Sequence, residues 1–263
     1  VNALQIEQCA HRLNEAMDNQ KTLVPLTTQH PGLTIDQAYA ISLAFLDIRI
    51  GKGEKVIGKK IGLTSEVVQK MLAVHQPDFG FLTDKMLYSS GAEIVLKKEL
   101  IQAKSEGEIA FKLKHDLVGP NITADDVLAA TEKVFACFEI VDSRIENWNI
   151  KIQDTIADNA SCGLFVMSEQ GVDPNTVDFE NCLMTIKNKG DVVATGKGSA
   201  ALGSPLNCVA WLANTLGSYN IPLKAGDIIL SGSLAAMITC EADDEMSVEI
   251  EGVGSAEFKF VAE

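Results

Sequence analysis

Glu106 and Glu108, in the run Ser105-Glu106-Gly107-Glu108-Ile109-Ala110-Phe111, are the first residues whose spacing suits chemistry. Residues two apart on a strand share a face, so these carboxylates point the same way from backbones roughly 7 Å apart. Gly107 between them permits another chain to approach closely. Taken alone, the pair reads more readily as the solvent-facing edge of a hairpin. Glu139 argues for more, because it sits inside Val134-Phe135-Ala136-Cys137-Phe138-Glu139-Ile140-Val141, an apolar run that reads as a strand buried on both faces. A carboxylate there needs a partner: a cation, or an ion pair with Arg144 or Lys133. Three glutamates, in a chain whose four histidines are far apart, suit a hard divalent cation such as Mg²⁺ or Mn²⁺ bound through oxygen.

Four other segments carry polar groups beyond what solvation needs. Lys59 and Lys60 are consecutive in a strand-like run, so they face opposite ways, and the inward one either binds an oxyanion or moves a proton. The alternative is a pairing with a structural carboxylate. Asp78 and Asp84 lie near proline and glycine, where acids ordinarily serve the backbone of a turn. The segment from Asp154 to Ser161 packs two acids, an amide and hydroxyls into a short span and reads as a binding loop. Ser231-Gly232-Ser233 follows an apolar strand and offers hydroxyls and backbone N–H groups that could hold a carboxylate, or simply form a turn.

The elements that must position these groups are legible from periodicity. Residues 2–20 place Ile6, Cys9, Ala10, Leu13, Ala16 and Met17 at helical spacing, and Thr34 with Gln37 opens a second helix that stops at Gly51 and Gly53. Two later helices start at Thr123 and at Ser204-Pro205. Strand character falls at 55–63, 105–113, 134–142, 162–167, 182–187, 227–231, 247–251 and 256–261. Regular βαβ alternation is lacking, so the expected class is α+β: a helical segment over 1–53, then one integrated mixed β-roll or barrel over 54–263 with peripheral helices.

Composition excludes several functions. With 36 acidic against 22 basic residues the formal charge is −14, which disfavours nucleic acid. No apolar run approaches the roughly 18 residues of a membrane span. Six cysteines are scattered singly, without the paired spacing of a zinc site or a disulfide scaffold, and a cytoplasmic setting is the expectation.

Together the residues resemble the hydratase and decarboxylase group of the fumarylacetoacetate hydrolase superfamily. The likeness runs through 56–65 (VIGKKIGLTS), 75–80 (HQPDFG), 106–111 (EGEIAF), 138–144 (FEIVDSR), 151–161 and 203–214. It implies a mixed β-roll with N-terminal helices, and Mg²⁺ or Mn²⁺ held by Glu106, Glu108 and Glu139. It also implies a catalytic Lys60, an acidic partner at Asp78, and substrate contacts from Ser161, Ser231, Gly232 and Ser233. The implied reaction is hydration of 2-hydroxypenta-2,4-dienoate to 4-hydroxy-2-oxopentanoate in bacterial aromatic meta-cleavage catabolism; the alternative is decarboxylation of a 2-oxo-3-enedioate. Apolar Phe79, Phe81, Leu234 and Ala235 are expected to line the pocket around a bare vinyl terminus. An acylpyruvate-type hydrolase would have only His75 as a nearby base, and a non-catalytic scaffold does not fit intact acids and lysine. Relatives of this kind assemble as homo-oligomers, with a related decarboxylase as a further partner.

Overall fold

A computed structural model describes residues 1–65, 69, 74 and 76–262. His75 lies outside the described residues. The N-terminal segment up to Gly51 is helical for local reasons. Asn2 with Gln5 and Thr34 with Gln37 each form a reciprocal capping box, starting α1 (Ala3–Asp18) and α3 (Ile35–Gly51). Between them lies the single turn α2 (Leu26–Gln29). Among the described residues the other α-helices are α4 (Leu96–Glu99), α5 (Ala124–Ala130), α6 (Ile152–Ala157) and α7 (Pro205–Ser218), the last with Ser204 as cap and proline in its first turn.

Thirteen strands are described: β1 (Val56–Gly62), β2 (Asp78–Thr83), β3 (Leu87–Ser89), β4 (Ala92–Val95), β5 (Ala103–Leu113), β6 (Thr131–Asp142), β7 (Cys162–Met167), β8 (Leu183–Asn188), β9 (Asp191–Lys197), β10 (Ile228–Leu230), β11 (Ile238–Thr239), β12 (Glu245–Ile250) and β13 (Gly254–Val261). One sheet runs β2-β1-β10-β5-β6-β7-β3 with β11 added to β5; the other runs β4-β13-β12-β8-β9. The first is mixed, since β1 pairs with β10 in parallel and with β2 antiparallel. Its two ends are joined, because β3 follows β2 after only three residues and pairs in parallel with β7, the Phe165 N–H donating to the Met86 carbonyl just before β3. The sheet is therefore rolled, as the patterning predicts.

Rolling gives this sheet an inside and an outside, and register assigns every residue. Lys60 stands opposite Gly80 and Leu230, Leu230 opposite Ala110, Glu108 opposite Cys137 and Glu106 opposite Glu139. Directly paired residues share a face. The inside is thus filled by Leu82, Ala110, Phe135, Cys137, Phe165 and Leu230, a small core of its own. The outside carries Ile61, Phe79, Ile109, Phe111, Phe138 and Ile229, which join the large core shared with the second sheet and the helices. Gly107 faces outward here, where a Cβ would meet Met184, Ile186 and Val248 of the second sheet at 2.5–3.1 Å. The residue between the two glutamates is glycine because the two sheets close on that point.

Candidate metal centre and its surroundings

Above the apolar plug, the same inner face becomes polar. Glu106, Glu108 and Glu139 each offer an oxygen, and these three atoms lie within 4.8 Å of one another. Antiparallel register makes this so: Glu106 and Glu139 are a direct cross-strand pair, and Glu108 is two residues on. Glu108 and Glu139 are fully buried, and Glu106 is half-buried. Glu108 Oε2 accepts from the Gly232 N–H at 2.8 Å, but Glu108 Oε1 and both oxygens of Glu139 accept no aligned hydrogen bond. Buried carboxylate oxygens without donors are costly. One oxygen from each of the three glutamates converging on one point fits a divalent cation with oxygen ligands.

The partner of Glu139 differs from the two considered from sequence. Arg144 is committed elsewhere, donating to the Asp158 carboxylate from its backbone N–H and Nε. Lys60 instead stands 3.0 Å from Glu139 Oε1 and donates to the Ala160 carbonyl at 3.0 Å. Lys59 faces out and pairs with Asp227. Burial works against the Lys60 charge, but Glu139, Asp78 and Glu106 outweigh it, so the ammonium is held protonated above its ordinary range.

Asp78 is not a turn acid. It opens β2, pairs with Gly62 on β1, and is buried on the inner face beside Lys60. A Cβ on Gly62 would lie 2.3 Å from Asp78 Oδ1 and 3.2 Å from Lys60 Nζ, so the missing side chain is what lets acid and base approach. Burial pushes Asp78 up to about 6 against the pull of Lys60, and burial with the Glu139 charge pushes Glu106 up to about 7. Glu108 is raised well above the carboxylate range by burial, Glu139 and Glu106. Asp84 does serve the backbone, accepting from the Lys55 N–H.

The 154–161 segment is mostly scaffold. Asp154 binds the Thr27 N–H and hydroxyl, tying the segment to the N-terminal helices. Asn159, Ala160 and Ser161 all have positive φ, between 50° and 55°, and Arg144 spans this left-handed turn by donating to the carbonyls of Asp158 and Cys162. Ser161 is buried and hydrogen-bonds Thr155 at 3.1 Å. In the other turn, the Ser231 hydroxyl is buried without a partner, Gly232 holds Glu108, and Ser233 closes a local turn with Ala235. Two expected pocket residues go the other way: Phe79 and Phe81 face outward, toward the helices, because their neighbours Asp78, Gly80 and Leu82 take the inner face. Leu234 is likewise buried in the large core, with Ala235 packed against it.

The sequence profile of the Fumarylacetoacetate (FAA) hydrolase C-terminal family matches residues 49–261. The chain is 56% identical over 256 residues to 2-hydroxyhexa-2,4-dienoate hydratase of Comamonas testosteroni, covering 97% of each. It is also 56% identical over 216 residues to 2-hydroxypent-2,4-dienoate hydratase of Pseudomonas putida, covering 82% of this chain and 97% of that one. A solved structure of 4-oxalocrotonate decarboxylase from Pseudomonas putida G7, complexed with magnesium and adipate, superimposes with a TM-score of 0.96 at 31% identity, covering 99% of each chain.

Two outcomes follow from this geometry. Lys60→Met should reduce turnover on the order of 10³-fold, whereas Lys59→Met should chiefly lower the melting temperature by leaving Asp227 unpaired; equal activity losses would contradict the assignment of faces. For the metal-free chain, the raised acids hold protons that the unfolded chain has shed. Stability should therefore fall as pH rises from the ordinary carboxylate range through about 6 for Asp78 and about 7 for Glu106. Calorimetric melting should show a drop on the order of 5 °C between pH 5 and 8, with Mg²⁺ restoring the loss at pH 8. A flat or rising profile would show that the cluster is not proton-loaded.

Proposed function

The chain belongs to the fumarylacetoacetate hydrolase family, and we propose that it is a metal-dependent hydro-lyase that hydrates 2-hydroxypenta-2,4-dienoate to 4-hydroxy-2-oxopentanoate. The observation that carries the reading is the inner-face cluster itself: three converging glutamates, of which Glu108 and Glu139 have buried oxygens that accept no aligned hydrogen bond, facing one buried ammonium and one buried carboxylate. Mg²⁺ or Mn²⁺ held by Glu106, Glu108 and Glu139 would supply Lewis acidity to a 2-oxo acid and stabilise negative charge at its 2-oxygen.

The remaining chemistry falls to the chain's own groups. Lys60 is kept protonated by its surroundings, so it acts as a donor to an oxyanion rather than as a base. Its position is fixed by the Ala160 carbonyl, which does not titrate. Asp78, pushed up to about 6, both accepts and returns a proton near neutral pH and suits the acid/base role at carbon. Ser161 and the unpartnered Ser231 hydroxyl are the donors we assign to the substrate carboxylate, while Gly232 acts through Glu108 and Ser233 supports the turn. The inner apolar residues Leu82, Ala110 and Leu230 offer a dry floor, which excludes water from the reactive carbons except where polar groups admit it.

Decarboxylation of 2-oxo-3-hexenedioate is the second reading, favoured by the superposition with the decarboxylase. Identity of 56% to hydratases against 31% to that enzyme supports hydration. In this reading the substrate arises in the cytoplasm by meta-cleavage of aromatic compounds, and a related decarboxylase is a natural partner. The exposed apolar side chains Leu4, Val24 and Ile50 support assembly as a homo-oligomer; sedimentation as a monomer at micromolar concentration would argue against it.

Product analysis on both substrates decides between the reactions. With Mg²⁺ or Mn²⁺ the dienol should gain water faster than 2-oxo-3-hexenedioate loses CO₂, and chelation should abolish turnover until either ion is returned. Faster CO₂ release, or full activity in chelator, would overturn the proposal.

A further inference from the structure

Tyr39 lies on α3, outside the residues matched by the family profile, yet it reaches the catalytic strand. Its ring stacks on Phe79 with centroids 4.1 Å apart and planes 10° from parallel, and Tyr219 packs edge-on against both rings. Tyr39 is 3% exposed; the Phe79 N–H approaches its phenol oxygen without an aligned hydrogen bond, and its O–H proton has no acceptor among the described residues. Buried phenols ordinarily find one. Phe79 is the neighbour of Asp78, whose Oδ1 is likewise buried and unpartnered. Thr155 supports the same carboxylate, and the Asp78 charge reaches the phenol, adding to burial in pushing its pKa up. One of the two unpartnered groups is an O–H donor and the other an acceptor. A single water held between them would satisfy both, accepting from the phenol and donating to the carboxylate.

We propose that Tyr39 and Asp78 hold between them the water that adds to the substrate, making Tyr39 a positioning residue for hydration. This rests on the hydratase reading above. The dienol first ketonises, its 2-OH proton passing to C5 and its double bonds shifting to C2=O and C3=C4; in the step itself the water oxygen bonds to C4 and the C3=C4 π pair moves toward the 2-oxygen. The water proton passes to Asp78, which afterwards returns it to C3. Tyr39 holds the water by its O–H and keeps a lone pair free for C4. It loses no proton. Decarboxylation uses no water, so the same pair would be idle in that reaction.

Tyr39→Phe removes only the hydroxyl. Deleting an unpartnered buried hydroxyl that merely fills space should leave stability level or higher. The proposal predicts a kcat for hydration reduced on the order of 10- to 100-fold, with KM for the dienol, the Mg²⁺ concentration for half-activation and the melting temperature unchanged. Tyr39→Phe should add little to Asp78→Asn in the double variant, since both act on one water. A crystal structure of the wild-type chain should show an ordered water between Tyr39 Oη and Asp78 Oδ1. A Tyr39→Phe kcat within twofold of wild type, a loss that tracks a lowered melting temperature, full additivity with Asp78→Asn, or no bridging water would each overturn it. Failure of the wild-type chain to hydrate any 2-hydroxydienoate would instead overturn the reaction assignment, and this proposal with it.

Discussion

Three carboxylates gathered on the inner face of a rolled sheet, two fully buried and one half-buried, set the terms for everything around them. In a low-dielectric interior each ionised oxygen raises the cost of the next, and the floor beneath them is apolar. Four acids, counting Asp78, face the single ammonium of Lys60, too little positive charge to hold them all ionised. Either protons or a cation must make up the difference. The same negative field keeps Lys60 protonated despite burial, so the constraint that calls for a metal also fixes the lysine as a donor.

A second arrangement delivers that lysine. Ala160 and Ser161 occupy the left-handed region, which costs a non-glycine residue about 1–2 kcal/mol. Arg144 offsets this by bonding both ends of the turn, and Asn159 exchanges hydrogen bonds with the Phe81 N–H and carbonyl as a neighbouring strand would. Gly80 makes room, since a Cβ there would sit 2.5 Å from the Asn159 carbonyl. The strained turn aims the Ala160 carbonyl at Lys60. Asp154 then anchors the turn to Thr27, and Tyr39 packs on the outward ring of Phe79, so the N-terminal helices brace the catalytic strands at two points.

Much of this was legible in the sequence because it depends on short-range periodicity. The Glu106–Glu108 spacing and the apolar run around Glu139 both follow from the two-residue repeat of a strand, and register then joins them. β2 was not legible: Pro77 and Gly80 read as turn chemistry, so Asp78 looked like a backbone acid and Phe79 and Phe81 like pocket walls. Only pairing with β1 shows which face each takes. The ion-pair partners of Glu139 and Arg144 depend on contacts across the sheet that no local pattern encodes, and Ser231 and Ser233 differ only in the turn geometry around them. Tyr39 left no signal, since α3 is apolar nearly all round and any face could have been the buried one.

The most direct measurement of the central claim is a crystal structure of the chain grown with Mn²⁺ and recorded at a wavelength where manganese scatters anomalously. One anomalous peak should lie at about 2.0–2.6 Å from carboxylate oxygens of Glu106, Glu108 and Glu139 together. No peak at that cluster, or a peak elsewhere with Glu139 bound only by Lys60, would contradict the account.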